Sequence, residues 1–584
     1  MLDPRIYRTG LVVVVLAVIV FAFSLEGQQS GLSTTLAPDA FNGQNAYNDT
    51  NAIDLKYPAR RAGSAADYAI AAQVKRRLQS YNFSVRQQTF RAATPTGKHP
   101  LENVIGLRTG LEAGTIVVVA HRDATAFGAA AEASGTGVLL DLARVLSGES
   151  LNHTVALVST SGSTGAAGAG HLISALPAPI DAVLVLGDMG GTKVRKPVVV
   201  PWSDGELVAP PLLRRTVGNA LSTQAGVSAG GTSLAGQFLH LAFPFTVSEQ
   251  APFGSSGIPA VLMSTSGERP PSAGEIPNRT QITHFGSAAL EVINALDAGR
   301  RVPAPSAYVL LGGNVVPAWA IRLLVLALIV PVLGATIDGF ARARRRGHPV
   351  GQWILWVLEG AVPFVLALAV ILAAKAAGWL GMAPPSPAAP GAIPIRGAGA
   401  ALLAVLAFVV VGSFMLLRRV LTPGVKASAN PGAAAALLLV LCAVALVIWV
   451  SNPFAAAMLV PALHLWLWVT APDVRIHPAI RLTMLLAGLA PLVIGVVYYM
   501  VTLGYGPIDL AWASVLMVAG GHIGVLAALE WSVALGCALS VRAIGAWTVR
   551  GEQPIEDSSV TVRGPVTYAG PGSLGGTESA LGKR

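Results

Sequence analysis

The first candidate for chemistry is a histidine at the end of an apolar run. The segment TIVVVA at 115–120 leads directly into His121, Arg122 and Asp123, and EASGTGV follows at 132–138. A histidine at a strand end can bind a metal ion while a carboxylate two residues later orients it. The same tripeptide is also compatible with an ordinary surface loop. These residues alone leave a metal site and a loop as alternatives.

A second group of candidates consists of ionisable residues inside long apolar runs, namely Glu359, His464, His522 and Glu530. Ionisable groups at bilayer depth are costly and often mark a transport pathway or a paired contact. The alternative is that these residues lie near the membrane interfaces or form hydrogen bonds between helices. Because no repeated motif links the four residues, we favour this alternative.

Residues 40–300 alternate short β-branched runs with helical patterns. The run that ends at His121 is followed by the helical pattern TGVLLDLARVL at 136–146, and then by the runs TVALVST at 154–160 and DAVLVLGDM at 181–189. Strands that alternate with helices of this length indicate a largely parallel or mixed sheet with helices on both faces. The predicted fold of this region is therefore α/β, with His121 at the end of a strand.

The remainder of the chain is too apolar for a soluble protein. Hydrophobic residues make up 53% and charged residues 12% of the 584 residues, whereas soluble domains carry about a quarter charged residues. The apolar run at 9–25 follows Arg5 and Arg8, as in a signal anchor or a signal peptide, and because Ala22 and Ser24 make only a weak cleavage site, residues 1–28 predict a retained signal anchor. Residues 316–545 predict an all-α, multi-pass transmembrane bundle of about seven helices.

The positions of the basic residues predict the topology of this bundle. The apolar stretches lie near 316–336, 352–373, 397–417, 432–450, 454–471, 482–502 and 510–541. The last one is long, and its Gly520-Gly521-His522 break permits a re-entrant segment or a helix hairpin. If it counts as one span, the arginine-rich loops all fall on one side. The positive-inside rule then predicts a cytoplasmic-membrane protein with residues 40–310 extracytoplasmic and residues 546–584 as a disordered cytoplasmic tail.

The α/β region resembles the family-28 metallopeptidases, which are zinc aminopeptidases. Six segments carry the resemblance, in the order and spacing of the family: RRAGSAADYAIAAQVKRRLQSYNFSV at 60–85, NVIG at 103–106, VVVAHRDA at 117–124, ASGTGVLLDLARVL at 133–146, LVLGDMGG at 184–191 and SEQAPFGSSGIPAVLMS at 248–264. Together they cover nearly all of the region. The resemblance implies a zinc-exopeptidase-like α/β fold.

The resemblance also implies a set of site residues. Family members use two zinc ions, a bridging carboxylate, His, Asp, Glu and His ligands, and a glutamate that accepts a proton from metal-bound water. By position, His121 corresponds to the first histidine ligand, Asp123 to the carboxylate that orients it, and Asp188 to the terminal aspartate ligand.

Other positions of the family pattern carry residues that cannot do this chemistry. The bridging carboxylate falls on Ala131, the base and a zinc ligand fall on Gly162 and Ser163, and no histidine follows the segment at 248–264 until His284. Without the bridge, two divalent ions lack the charge that offsets their repulsion, and without the base the water keeps its proton. The resemblance therefore predicts an altered metal site.

The function that we favour is binding or assembly by a domain that has lost catalysis. The competing function is an active, membrane-bound metallo-aminopeptidase, in which Glu132 reaches a single zinc ion held by His121 and Asp188. A third class, a transporter, would be expected to show two matching halves of broken helices, and the sequence does not show them.

The expected cofactor and partners follow from these alternatives. The favoured function needs no cofactor, whereas an active enzyme would need zinc. The lipid membrane is one partner, and other membrane or extracytoplasmic proteins are candidate partners. Nucleic acid is not expected, because the basic residues behind the net charge of +10 lie mostly between apolar runs.

Overall fold

A computed structural model describes residues 4–36, 38–272, 274–420, 431–471 and 476–547. The predicted tail therefore lies almost wholly outside the described residues. The described chain contains an N-terminal helix, an α/β part and a helical part. The N-terminal helix α1 spans Pro4–Phe23.

The α/β part contains, in chain order, β1 (Glu26–Gly27), α2 (Gly43–Lys56), α3 (Ala65–Ser80), β2 (Ser84–Thr94), β3 (Gly97–Arg108), β4 (Thr115–His121), α4 (Ser134–Leu146), β5 (Thr154–Thr160), α5 (Ala167–Leu172), β6 (Ile180–Leu186), β7 (Val199–Val200), α6 (Pro211–Ala225), α7 (Leu234–Ala242), α8 (Gln250–Ser255), β8 (Ala260–Met263), α9 (Arg279–Ala298), β9 (Tyr308–Leu311) and β10 (Asn314–Pro317). The helical part contains α10 (Ala318–Arg345), α11 (Val350–Glu359), α12 (Val362–Ala376), α13 (Gly397–Val420), α14 (Pro431–Ser451), α15 (Pro453–Ala457), α16 (Val460–Val469), α17 (Pro478–Leu503), α18 (Pro507–Gly520) and α19 (Val525–Trp547).

The main sheet has seven strands in the order β2-β3-β5-β4-β6-β8-β7. Strands β5, β4, β6 and β8 run parallel to one another, and the flanking strands pair antiparallel. The prediction of a mixed α/β sheet is confirmed. Because parallel strands end at the same edge, the residues that follow β4, β5 and β6 are brought close together there.

Helices cover both faces of this sheet because its strands are apolar on both sides. In β4, Ile116 and Val118 point to one face while Val117 and Val119 point to the other, and all four are buried. Polar side chains cap the N-terminal ends of several of these helices. For example, Asn278 accepts a hydrogen bond from the Gln281 amide at 3.1 Å and caps α9.

Among the described residues, six helices are long and apolar enough to cross a membrane, and α11 with α12 makes a seventh if this pair, bent by 42°, is one span. The count includes α1. The stretch predicted at 454–471 forms the shorter helices α15 and α16. The stretch predicted at 510–541 is divided at Gly521, whose φ of +90° ends α18. The break that the sequence suggested there is therefore present.

The N-terminal helix packs closely on the first helix of the bundle. A Cβ atom at Gly10 would stand 2.6 Å from Pro331 Cα, so the two backbones touch where glycine has no side chain. Strand β1 continues from α1 and pairs with β10. These contacts make α1 part of the folded helical part.

The α/β part is docked on the helical part through α7. Phe238 of α7 packs edge-on against Phe454 of α15, with ring centroids 5.7 Å apart. The Tyr499 hydroxyl donates to the Phe243 carbonyl at 2.7 Å, and the Asn452 amide donates to the Leu241 carbonyl at 2.8 Å. These buried bonds fix the sheet edge relative to the bundle.

Candidate functional site

The candidate site lies at the edge of the sheet where β4, β5 and β6 end. His121 is the last residue of β4, and its carbonyl accepts a hydrogen bond from Thr136 Oγ1 at 2.8 Å. Its Nδ1 atom lies 3.6 Å from Glu249 Oε2. Burial lowers the pKa of His121, but the hydrogen bond and charge of Glu249 outweigh it, with help from Asp123 and Glu132, and raise the pKa to about 9. His121 is therefore held as a cation beside Glu249.

Glu249 is a site residue that the sequence did not single out. It also accepts a hydrogen bond from Thr160 Oγ1, at the end of β5, at 2.7 Å. It lies 128 residues after His121 in the chain. A buried glutamate inside the segment SEQAPFGSSGIPAVLMS was the available signal, because a carboxylate in an otherwise small and apolar segment must find a partner when it is buried.

Asp123 is tied to the loop that follows β5. Its carboxylate accepts hydrogen bonds from the Gly162 amide at 3.1 Å and from Ser163 Oγ at 3.0 Å. The neighbouring Arg122 is buried and lies 2.8 Å from Asp67 Oδ1, which fixes the turn after β4. Burial raises the pKa of Asp123 to about 6, with a further increase from the charge of Asp67 and an opposing effect of His121.

Asp188 follows β6, and both of its carboxylate oxygens accept hydrogen bonds. Oδ1 accepts hydrogen bonds from the Gly190 amide at 2.9 Å and the Gly191 amide at 2.8 Å, and Oδ2 accepts one from Ser266 Oγ. Burial raises the pKa of Asp188, although these hydrogen bonds oppose the increase. The carboxylate is thus oriented by two amides of the segment DMGG and by the Ser266 hydroxyl, which comes from the loop after β8.

Glu132 differs from the other carboxylates because it has no partner. It lies on a short 3₁₀ turn at 130–133 and is 9% exposed. Its carboxylate makes no hydrogen bond and no ion pair with any residue that the structure describes. Burial raises its pKa to about 7, while the charges of His121 and Arg60 oppose this increase. Glu132 is therefore available to a ligand.

The predicted residues His121, Glu132 and Asp188 line one cavity of about 100 Å³, together with Glu249 and Glu268. Glu268 is a second residue that the sequence did not single out. It is 5% exposed, and it accepts a hydrogen bond from Thr246 Oγ1 at 3.1 Å. Burial raises its pKa to about 8.

The helical part supplies the roof of this cavity. The connection between α12 and α13, residues 377–396, is here called the strap, and its residues Ala389 and Ala392 line the cavity. The strap is held on the bundle side because Trp512 Nε1 donates to the Ile393 carbonyl at 3.1 Å and the Tyr505 hydroxyl donates to the Ala388 carbonyl. The site is therefore enclosed between the sheet edge and the bundle.

The residues present do not fit a two-zinc centre. Ala131, Gly162 and Ser163 offer no carboxylate at the positions of the bridge, the base and a ligand. His284 lines a different surface cavity, with Arg144 and Arg279. Within the described ranges, no three His, Cys, Asp or Glu side chains converge as metal ligands would. Among the described carboxylates that line the cavity, Glu132 has neither a hydrogen bond nor an ion pair, and Glu249 Oε2 and Glu268 Oε2 also lack a hydrogen bond.

The ionisable residues predicted inside apolar runs have different surroundings. His464 Nδ1 lies 2.7 Å from the Tyr7 hydroxyl, and its Nε2 lies 2.9 Å from the Leu328 carbonyl. His464 of α16 therefore contacts both α1 and α10. His522 lies in the turn between α18 and α19, and its Nε2 is 2.7 Å from the Pro244 carbonyl of the α/β part. Glu359 ends α11 at the bend, and Glu530 lies within α19. The structure does not bring these four residues together.

Comparisons with known proteins place this site in a family. Peptidase family M28 matches residues 103–283, and no curated protein matches the chain. A glutaminyl cyclase from an Acidobacteriales bacterium is 20% identical with a TM-score of 0.37, over 46% of this chain and 99% of that chain. A zinc aminopeptidase from Bacillus subtilis is 12% identical with a TM-score of 0.35, over 43% of this chain and 94% of that chain. Residues 103–283, which include the ionisable site residues from His121 to Glu268, therefore form a peptidase family M28 domain within a chain that also carries helices suited to span a membrane.

Proposed function

We propose that this protein is a multi-pass membrane protein whose M28 domain binds a ligand without hydrolysing it. The observation that carries the proposal is the internal pairing of the site. Asp188 accepts hydrogen bonds from the amides of its own turn, Asp123 accepts them from the loop after β5, and His121 is paired with Glu249. Zinc binds the neutral form of histidine, so it would have to displace the proton that Glu249 stabilises on His121.

The loss of the base supports the same proposal. Hydrolysis needs a group that accepts the proton of the attacking water within hydrogen-bond reach. Gly162 and Ser163 cannot do this at the family position, and the Ser163 hydroxyl already donates to Asp123. Among the described residues that line the cavity, Glu132 is the carboxylate without a hydrogen bond or ion pair, so it is the candidate to replace the base and decides between the proposal and the active aminopeptidase.

The test is hydrolysis of aminoacyl p-nitroanilides by the full-length protein in detergent, with zinc added. We expect turnover at the level of the buffer for the natural protein, for His121→Ala and for Glu132→Ala. Thermal unfolding of each protein checks that it is folded. Turnover by the natural protein that both substitutions abolish would overturn the proposal and assign Glu132 a role as base or ligand.

We also propose that the M28 domain lies outside the cytoplasmic membrane. The positions of the contacts between the helical part and the α/β part support this topology. Asn452, Tyr499 and His522 all contact the α/β part, whereas α10 begins at Ala318 beside it and carries its arginines at the other end. The arginine-rich turn therefore lies a helix length away from the M28 domain, which agrees with the positive-inside rule.

Single cysteines test this topology, because the natural Cys442 and Cys537 are both buried. Thr280 and Arg346 are exposed in the structure. A membrane-impermeant maleimide should label Thr280→Cys in intact cells and label Arg346→Cys only after lysis. The reverse pattern would place the M28 domain in the cytoplasm.

A further inference from the structure

A second cavity lies beside the candidate site, between the α/β part and the start of a membrane helix. Its volume is about 210 Å³. The turn of the β2–β3 hairpin lines it through Thr94, Pro95 and Thr96, and the end of the strap lines it from Gly391 to Arg396. The α/β part and the helical part therefore both form walls of this cavity.

Two guanidinium groups line the cavity without a partner. Arg61 lies before α3, and Arg396 directly precedes α13. Both side chains are exposed, and neither guanidinium makes a hydrogen bond or an ion pair with a residue that the structure describes. Asp123 lines the same cavity, but Gly162 and Ser163 donate hydrogen bonds to its carboxylate. The cavity thus presents a net positive charge, and paired guanidinium groups favour an anion with several acceptor oxygens, such as a phosphate.

Arg396 lies at the level where the chain enters the membrane. The helix that begins at Gly397 is long and apolar enough to cross a bilayer, and few of its residues are buried. Trp379, near the start of the strap, is 69% exposed, and exposed tryptophan is typical of the headgroup region. Leu380 and Ile393 pack in one cluster with residues of α12, α13 and α18, so the strap lies against the ends of these helices. The arginine side of the cavity is therefore at the depth of lipid headgroups.

The outer face of α13 is suited to the acyl chains of a lipid. Val405 and Phe408 are exposed, and they lie about 14 and 18 Å beyond Arg396 along the helix axis. The hydrocarbon of one leaflet is about 15 Å thick. A lipid whose headgroup occupies the cavity can therefore lay its chains along α13, whereas a free phosphate would use the arginines alone.

We propose that this cavity binds the phosphate of an anionic phospholipid from the leaflet on the side of the M28 domain, between Arg61 and Arg396. Each guanidinium donates charge-assisted hydrogen bonds to the phosphate oxygens. The bound lipid joins the α/β part to the strap, because each part supplies one arginine. The inference goes beyond the proposed function, and it does not depend on whether the neighbouring site hydrolyses a ligand.

The test compares dioctanoyl phosphatidylglycerol, dioctanoyl phosphatidylcholine and inorganic phosphate, with the full-length protein in a non-ionic detergent. Native mass spectrometry measures the fraction of protein that retains each lipid. We expect phosphatidylglycerol to bind more tightly than phosphatidylcholine, because the choline group offsets the charge of the phosphate. Arg61→Gln and Arg396→Gln should each lower the affinity for phosphatidylglycerol roughly fivefold, since one arginine near a membrane surface contributes about that much. An excess of inorganic phosphate should not displace the lipid.

The control variant is Lys375→Gln. Lys375 is exposed in the last turn of α12, at the same membrane surface, and it does not line the cavity. Its loss should lower the affinity by less than about twofold, because exposed charges outside a site are screened by salt. Thermal unfolding without lipid shows whether each variant is folded.

Several results would overturn the inference. An equal loss of affinity in Lys375→Gln and Arg396→Gln would mean diffuse attraction by surface charge. Unchanged affinity in both arginine variants, equal binding of the two lipids, or no retention of phosphatidylglycerol by the natural protein would remove the site. Displacement of the lipid by inorganic phosphate would assign the cavity to a free phosphate.

Discussion

On one face of the seven-stranded sheet, Val118 and Leu184 belong to a core that α4 and α9 complete, both of them helices of the α/β part. On the other face, Val117 and Val185 belong to a core that continues through α7 into α14 and α16 of the helical part. The first face is closed as in a soluble domain. The second face is buried only when the membrane bundle packs on it, so the sheet that carries the candidate site and the bundle share one hydrophobic core.

The largest expected difference between the faces comes from removing one buried ring on each. Phe285 of α9 and Phe454 of α15 are both fully buried. Phe285→Ala should destabilise the whole α/β part by about 3–5 kcal/mol, because it leaves a cavity in the core on the first face. Phe454→Ala should increase amide hydrogen exchange in α7 and leave α4 and α9 protected. Equal loss of protection in α4 for both variants would contradict the comparison.

Removing the bundle tests the same comparison without a point mutation. The sequence predicts that residues 40–300 fold alone, and this stays a prediction. We expect a single cooperative thermal transition, since one core is complete, together with loss of exchange protection in α7 and binding of a hydrophobic dye. A chain that shows no cooperative transition would mean that both faces need the bundle.

The sequence predicts more of the first face than of the second. The β-branched run at 115–120 and the amphipathic pattern at 136–146 place β4 and α4 correctly, because both elements pack within the α/β part. The family resemblance, rather than the local pattern, brought His121, Glu132 and Asp188 together as candidate site residues, and in the structure the three line one cavity. Local pattern was sufficient where the partners are near in the chain.

The second face could not be predicted from local pattern. Glu249 reaches His121 from a distant loop, and the strap reads as an ordinary proline-rich connection between two apolar helices. The break at Gly521 was visible in the sequence, but its consequence was not: the turn places His522 against Pro244 of the α/β part. Such contacts depend on how two separately patterned regions dock, and composition does not specify that.

A smaller effect is expected from removing the Tyr499 hydroxyl, which joins α17 to the C-terminal end of α7. The buried Tyr499 hydroxyl donates to the Phe243 carbonyl at 2.7 Å and to the Leu239 carbonyl at 3.2 Å. Tyr499→Phe should weaken the docking of α7 by about 1–3 kcal/mol, because the Phe243 carbonyl loses its donor, whereas the Leu239 carbonyl keeps its hydrogen bond from the Phe243 amide. Hydrogen exchange of α7 measures this change. Tyr57→Phe, on the first face, serves as the control and should leave α7 unchanged.

A further expected effect depends on pH. Burial raises the pKa of Glu268 to about 8 in the folded protein, above the ordinary value of 4.5. The folded state therefore holds a proton that the unfolded state releases, so stability falls as pH rises from about 4.5 through about 8, by at most about 1.4 kcal/mol per pH unit. Glu268→Gln should remove this contribution. Identical pH profiles for the natural protein and Glu268→Gln between pH 5 and 9 would show that Glu268 is not buried at the interface.

The central claim is that the M28 domain binds its ligand without a catalytic metal centre, and zinc content tests it most directly. The full-length protein would be dialysed against buffered zinc in detergent, and bound zinc measured by mass spectrometry beside His121→Ala. We predict zinc well below one ion per chain, with the same amount in the variant, because the site side chains are paired with one another. Near-stoichiometric zinc that His121→Ala removes would contradict the account.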